Sequence, residues 1–367
     1  MKSVLFALMA VSMLLLGCAA QQSPPQQQGA PQAAPEPAKN VTKAPSVQPP
    51  VKNVPPPPAA QNETPAAPPE QPPVEETAPS PQWKAGGVAI GGNYADADIV
   101  DLGGGSYRMY YSAEPEVPNF EGQVYSATSS DGINWAQESG IRKTWAIFPS
   151  VIKLSGGSFR MYFQNAGAIK SAISQDGLSW QDEQGTRMDA ANPAGLSLAN
   201  VAAPTVLEAN GQYIMVYSGV ISQKYPADVP NSETHLFLWA VSQDGKTFEK
   251  KGIALDSRNQ EFLGWLDGAE LVEWDDGSIR LYFWSYKGVY YTTFDGGRFS
   301  DDAEFAYGSV SSDPLAKFPP NPPGDPTLAK IGGISRSAGE TVDAVQWKWF
   351  MYYGQHTQGI YYATLEG

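Results

Sequence analysis

Cysteine is almost absent from this sequence, since Cys18 is the only one in 367 residues. A lone thiol excludes an intramolecular disulfide and a cysteine metal cluster, so a folded domain here must be held by its core. Histidine is nearly as scarce: His235 and His356 stand far apart, and no three-ligand zinc pattern can be written. No metal or other cofactor is expected. Basic charge is short as well, with 24 Lys and Arg against 38 Asp and Glu and a formal net charge of −14. That balance opposes general attraction to nucleic acid or to a bare anionic membrane face and does not exclude neutral glycans, cations or basic partners; a neutral glycan or a cell-surface protein is the expected partner. Aromatic residues are missing altogether between Ala19 and Pro81, where proline, glutamine and alanine dominate. Such a stretch cannot bury enough apolar surface to offset its chain entropy, and it reads as a disordered, proline-rich tether. Long hydrophobic runs are lacking too. The run Val4 to Leu16 is too short to span a bilayer as a permanent helix.

That run has the flanks of an export signal, with Lys2 before it and Leu15-Leu16-Gly17-Cys18 closing it. The four closing residues resemble the lipobox of bacterial lipoproteins. The resemblance implies cleavage before Cys18 and lipidation of Cys18, and several acyl chains at about 0.8 kcal/mol per buried CH₂ anchor a protein stably. Ala19 after the cysteine implies an outer-membrane address if the host has two membranes. The expected division is a signal peptide over 1–17, a lipidated cysteine and linker over 18–81, and a folded domain over 82–367.

Within 82–367 the dominant feature is repetition. Five aromatic and β-branched runs recur: Tyr107 to Ser112, Phe159 to Gln164, Tyr213 to Ser218, Ile279 to Trp284 and Trp349 to Gly354. Turn-like stretches such as Gly103-Gly104-Gly105-Ser106 and Asp275-Asp276-Gly277-Ser278 precede four of them, and a short strand precedes each turn. A second unit follows, of the form strand, Asp-Gly turn, aromatic. It is seen at Asp131-Gly132 with Trp135, Asp176-Gly177 with Trp180, Asp244-Gly245 with Phe248, and Asp295-Gly296 with Phe299. In this pattern the Asp accepts turn N–H groups, the Gly takes a conformation closed to other residues, and the aromatic clamps the turn. The fifth copy reaches a third strand, Gly359 to Gly367, with no fourth after it, while Trp83 and Val88-Ala89-Ile90 form an aromatic and strand with no partner before it. Setting the N-terminal strand outside the last copy closes a ring. The expected fold is all-β: a five-bladed β-propeller whose last blade is closed by the N-terminal strand, a device that removes free sheet edges.

In a propeller the innermost strands converge on the axis, so a site is expected at their starts. These are read as Asp96-Ala97-Asp98, Phe148-Pro149-Ser150, Ala203-Pro204-Thr205, Asp267-Gly268-Ala269-Glu270 and Ile331-Gly332-Gly333. With these residues in view, the domain resembles the five-bladed propeller glycosidases, the clan of arabinanases, β-xylosidases, invertases and levansucrases. That resemblance implies a general base at Asp96, a tuning residue where this chain has Ala203-Pro204, and a general acid where it has Asp267-Gly268-Ala269, with Glu270 three residues on. Ala203 carries no charge, and Asp267 is one methylene shorter than the Glu of that pattern. Hydrolysis of a glycosidic bond needs an acid and a base at matched places and pKa values.

The expected site therefore comprises Asp96, Asp267 and Glu270 as catalytic candidates. Asp98, Trp145, Trp265 and Trp284 are the candidates for substrate binding. The same carboxylates could instead cap strand ends. Arg108, Arg160 and Arg280 share one strand position, and that regularity points to bridging between blades. The leading functional expectation is a monomeric, lipid-anchored exported propeller that recognises extracytoplasmic neutral carbohydrate with weak or no hydrolysis. An active glycoside hydrolase and a structural or protein-binding envelope component are the alternatives.

Overall fold

The computed structural model describes residues 82–113, 122–191, 195–225, 233–308, 322–335, 344–355 and 358–366. The expected signal peptide, Cys18 and the expected tether, all within residues 1–81, lie outside the described residues, as does His356. After β1 (Gln82–Gly91) the chain lays down four antiparallel sheets in succession. The first holds β2 (Tyr94–Gly103), β3 (Ser106–Ala113), β4 (Gln123–Ser129) and β5 (Ala136–Gln137), with β6 (Lys143–Thr144) also on β4. The second is β7 (Ile147–Lys153), β8 (Phe159–Asn165), β9 (Ala168–Ser174) and β10 (Gln181–Asp182), and the third is β11 (Asn200–Ala209), β12 (Gln212–Ile221), β13 (Thr234–Ser242) and β14 (Glu249–Leu255). The fourth is β15 (Asp267–Glu273), β16 (Ile279–Ser285), β17 (Gly288–Phe294) and β18 (Glu304–Tyr307). The last is β19 (Gly324–Ser335), β20 (Ala344–Gly354) and β21 (Gly359–Glu366), and β1 completes it outside β21. This is the five-bladed propeller with the split last blade. Among the described residues no helix is long and apolar enough to cross a membrane.

Each sheet twists and carries apolar residues on both faces, so it must be covered on both sides, and a ring of sheets does this without a lid. The innermost strands β2, β7, β11, β15 and β19 contact one another in that order and back to β2. Five buried apolar clusters fill the five seams between blades. The repeated runs supply them: Met109, Met161, Met215, Leu281 and Met351 at the middle of each second strand are fully buried.

The Asp-Gly turns are built as their sequence implies. In each of the first three, the Asp carboxylate accepts two backbone N–H groups while a preceding Ser hydroxyl accepts the Gly N–H. The following aromatic meets a tyrosine of the adjoining blade edge-on: Trp135 on Tyr352, Trp180 on Tyr110 and Phe248 on Tyr162.

The fifth inner strand corrects the sequence reading. It starts at Gly324 rather than near Ile331, because the bulge at its start is marked in sequence by nothing more than Asp325-Pro326. Closure runs from Gln82 opposite Glu366 to Gly91 opposite Gly359. Gly86 has no substitute there, since a Cβ on it would sit 2.1 Å from the Tyr362 ring.

Candidate functional site

The site is a property of the repeat. Every inner strand breaks register near its start, between Ala95 and Asp98, Ile147 and Ser150, Ala202 and Thr205, Asp267 and Ala269, and Gly324 and Thr327. One residue in each break has positive φ: Asp96 at 52°, Phe148 at 50°, Ala203 at 43°, Gly268 at 45° and Asp325 at 45°. Four of these are not glycine, and such backbone persists only where the surroundings over-determine it. Together with the residues that follow them, these five line a depression at one end of the axis. The mouth is shallow, enclosing about 30 Å³, room for one or two waters.

Two carboxylates stand in that ring. Asp96, expected from the sequence, accepts a long hydrogen bond from the Phe148 N–H at 3.4 Å. Asp325, which sequence reasoning missed, accepts the indole N–H of Trp284 at 3.1 Å. The signal available for Asp325 was its proline, which repeats Phe148-Pro149 and Ala203-Pro204 in the same place of the blade. In the fourth blade the mouth position belongs to Gly268, and a Cβ there would lie 2.0 Å from Asp325 Oδ1 and 2.6 Å from its Cα. Asp325 thus occupies the space that a fourth-blade side chain would need.

Asp267 is adjacent in sequence but turns into the seam with the third blade. Its carboxylate accepts the Ser218 hydroxyl at 2.9 Å and the Gly268 N–H at 3.1 Å, and meets His235 Nδ1 at 3.2 Å. Burial alone would raise its pKa; the charge and hydrogen bond of His235, with the bonds from Ser218 and Gly268, outweigh this and hold it below the usual carboxylate range. His235 is raised in turn: burial opposes its charge, but Asp267 on one side and Glu233, 3.2 Å from Nε2, on the other prevail. The imidazole stacks on Trp265 at 4.1 Å, and Trp265 meets Trp284 edge-on at 5.8 Å.

One step below the mouth a second ring runs through Asp98, Ser150, Thr205, Glu270 and Thr327. Asp98 accepts the Val151 N–H at 2.7 Å, Ser150 the Val206 N–H at 3.0 Å and Thr205 the Leu271 N–H at 3.0 Å, each bond crossing to the next blade. Glu270 accepts a long bond from Thr205 at 3.4 Å. The Thr327 hydroxyl, between the blades of Glu270 and Asp98, is buried and finds no hydrogen-bond partner among the described residues. Burial pushes Asp98 up to about 8 against the Val151 bond. Glu270 is raised well above its ordinary value by burial and then by the charge of Asp98.

The structure therefore brings Asp96 and Asp325 together at the mouth, sets Asp98 and Glu270 beneath them, and places Asp267 to the side. Trp284 reaches the mouth through Asp325. Trp145 is half exposed, with φ 56°, on the rim of a cleft of about 480 Å³ that it shares with Lys143, Phe163, Asn165 and Lys170.

No protein-family model matches the chain, and no curated protein matches it. Among solved structures, the complex of BT0996 with RGII is similar at 13% identity over 77% of this chain and 92% of its own, with a TM-score of 0.52. The family 117 glycoside hydrolase Zg3597 of Zobellia galactanivorans aligns at 12% identity over 78% and 90%, with a TM-score of 0.49. The α-L-arabinanase of Cellvibrio cellulosa aligns at 16% identity over 56% and 76%, with a TM-score of 0.44. At 13% identity the likeness to the BT0996 structure shows a shared fold and nothing more.

Proposed function

We propose that this protein is a lipid-anchored, exported propeller that recognises neutral extracytoplasmic carbohydrate at the mouth, with weak or no hydrolysis. The observation that carries the reading is the pairing of Asp96 with Asp325 beside a sealed fourth-blade position at Gly268. Two carboxylates and a nearby indole suit sugar hydroxyls, which both donate and accept, and binding needs a preformed concave surface with a few placed polar groups. Hydrolysis also needs a proton donor flanking the bond. Asp267 is held as an anion by three hydrogen-bond partners, which supports a positioning role for it rather than that of acid.

The test is to pass the full-length chain over immobilised neutral and acidic oligosaccharides, and to assay product release alongside. Retention on neutral sugars, weakened about tenfold or more by Asp96→Ala or Asp325→Ala and without rapid product release, is the expected result. Rapid release abolished by Glu270→Gln would instead favour the hydrolase reading, for which the raised pKa of Glu270 is the supporting observation. Anchoring rests on Cys18: the Cys18→Ser chain is expected to escape lipidation and to leave the membrane fraction. Normal membrane retention of that variant would contradict the anchor.

A further inference from the structure

An arginine and a tyrosine two residues apart recur on the second strand of three blades. Arg108 and Tyr110 receive the Asp-Gly turn of the second blade: Arg108 Nη1 donates to Asp176 O at 2.9 Å and the Tyr110 hydroxyl to Gly177 O at 2.8 Å. Arg160 and Tyr162 receive the turn of the third blade in the same way, at 3.1 Å to Asp244 O and 2.7 Å to Gly245 O. The fit is close, since a Cβ on Gly177 or Gly245 would meet both the guanidinium and the phenol. In each case the aromatic after the turn stands edge-on to the same tyrosine.

Arg280 and Tyr282 repeat the pair in the fourth blade, at the same register against the inner strand. The next blade is the split one, and its outer strand is β1, arriving from elsewhere in the chain rather than out of an Asp-Gly turn. Among the described residues no such turn is seated on Arg280 and Tyr282. A cleft of about 310 Å³ opens there instead, lined by the pair with Trp83, Trp274, Tyr291 and Phe305. The guanidinium carbon lies 4.4 Å from the ring centroid of Trp274 and 5.0 Å from that of Tyr291. Arg108 and Arg160 each grip a glutamate with two nitrogens, whereas Arg280 grips none among the described residues and donates to Ser278 at 3.3 Å and Asp276 at 3.1 Å beside Tyr282.

We infer that this cleft is a receptor for a peptide turn of a partner protein, of the type Ser-x-Asp-Gly followed three residues later by an aromatic. The molecule itself shows what the pair recognises: two successive backbone carbonyls held by a tight turn, one taken by the planar guanidinium and one by the phenol. The flanking Trp83 and Phe305 extend the surface on which the partner's aromatic packs, and Phe305 is 57% exposed. This surface is separate from the mouth and does not rest on carbohydrate recognition.

The test uses the full-length chain in detergent and a fluorescent peptide with the sequence Ser174–Trp180, read by anisotropy. Saturable binding, weakened about tenfold or more by Tyr282→Phe and by Arg280→Lys, is expected, the second because a lysine keeps the charge but not the fork. A second measurement removes the weakness of short peptides. Appending the same segment after Gly367 supplies it at high effective concentration, and is expected to raise the Tm in a way that Tyr282→Phe abolishes. The inference is overturned if the peptide shows no saturable binding up to about 1 mM and the appended segment leaves the Tm unchanged. Binding insensitive to both substitutions, or displaced by neutral oligosaccharide, overturns it equally.

Discussion

Single side chains set the direction in which pH acts on this domain. Asp98 is buried with its carboxyl raised to about 8, so between the unfolded value near 3.8 and that pH the folded state holds a proton that the unfolded chain has lost. Stability from this group is complete below the lower value and falls away as pH rises through the upper one. His235 has the same sign: its raised pKa contributes stability that is complete below 6.5 and lost as pH climbs through the folded value. Asp131, where turn hydrogen bonds outweigh burial, and Asp176, where they dominate, are held at about 2 and act oppositely, and their contribution disappears as pH drops through that value. Melting temperature is therefore expected to peak on the acid side of neutrality and to decline towards pH 8. Asp98→Asn keeps an acceptor for the Val151 N–H and removes the titration, so it should raise Tm at pH 8 by a few degrees, on a scale of roughly 2–4 °C per kcal/mol, while changing little at pH 4. An unchanged slope in that variant would remove Asp98 as the cause. His235→Gln should lower Tm most at low pH, where the charged imidazole between two carboxylates is worth most.

At the scale of strands and turns, much was legible in advance because it is local. The Asp-Gly turn carries its own hydrogen bonds, and the alternation of Tyr107 to Ser112 and its four counterparts fixes which face enters a seam. What was not legible depends on partners remote in sequence. Asp267 sits next to Gly268 in a pattern resembling a catalytic motif, yet Ser218 and His235, from a different blade, decide where its carboxylate goes. The fifth inner strand was misplaced because no glycine-rich or Asn/Asp-Gly turn stands before Trp349 to Gly354 to mark where the preceding strand ends, as one does before the other four runs. The bulge that aims Asp325 at the axis is a register shift of one residue, which composition does not reveal. Arginine bridging between blades was foreseen for three positions and occurs as such at two. Arg108→Ala, which frees Glu138 and the Asp176 carbonyl, should cost about 1–3 kcal/mol in denaturant unfolding. Arg280→Ala should cost distinctly less, and equal losses for the two would count against the division between arginines that hold an Asp-Gly turn and the one that holds none among the described residues.

The whole molecule depends on one strand brought back from the other end of the sequence. Without β1, β21 becomes an exposed edge and the seam between the fourth and fifth blades loses Trp83. Deletion of residues 82–91 is expected to lower Tm for the entire domain in a single transition and to promote aggregation, whereas deletion of 21–75 should leave Tm unchanged; parity between the two would remove closure by β1 as the source of stability. The same strand has a mechanical consequence. Gly91 comes shortly before β2 and so lies on the face of the propeller that carries the mouth, and Gln82, nine residues back at about 3.3 Å each, lies towards the opposite face, roughly 30 Å away. A pull on Gln82 directed away from the mouth, with the counterforce on the mouth side, acts along β1 and loads the ladder to β21 in shear, many hydrogen bonds at once rather than one after another. The first element to yield under tension would be the one that closes the ring, and resistance to it is a matter of unfolding rate rather than of equilibrium stability. An external force on Gln82 would thus be felt by the fifth blade before any other, while the mouth lies towards the other end of β1.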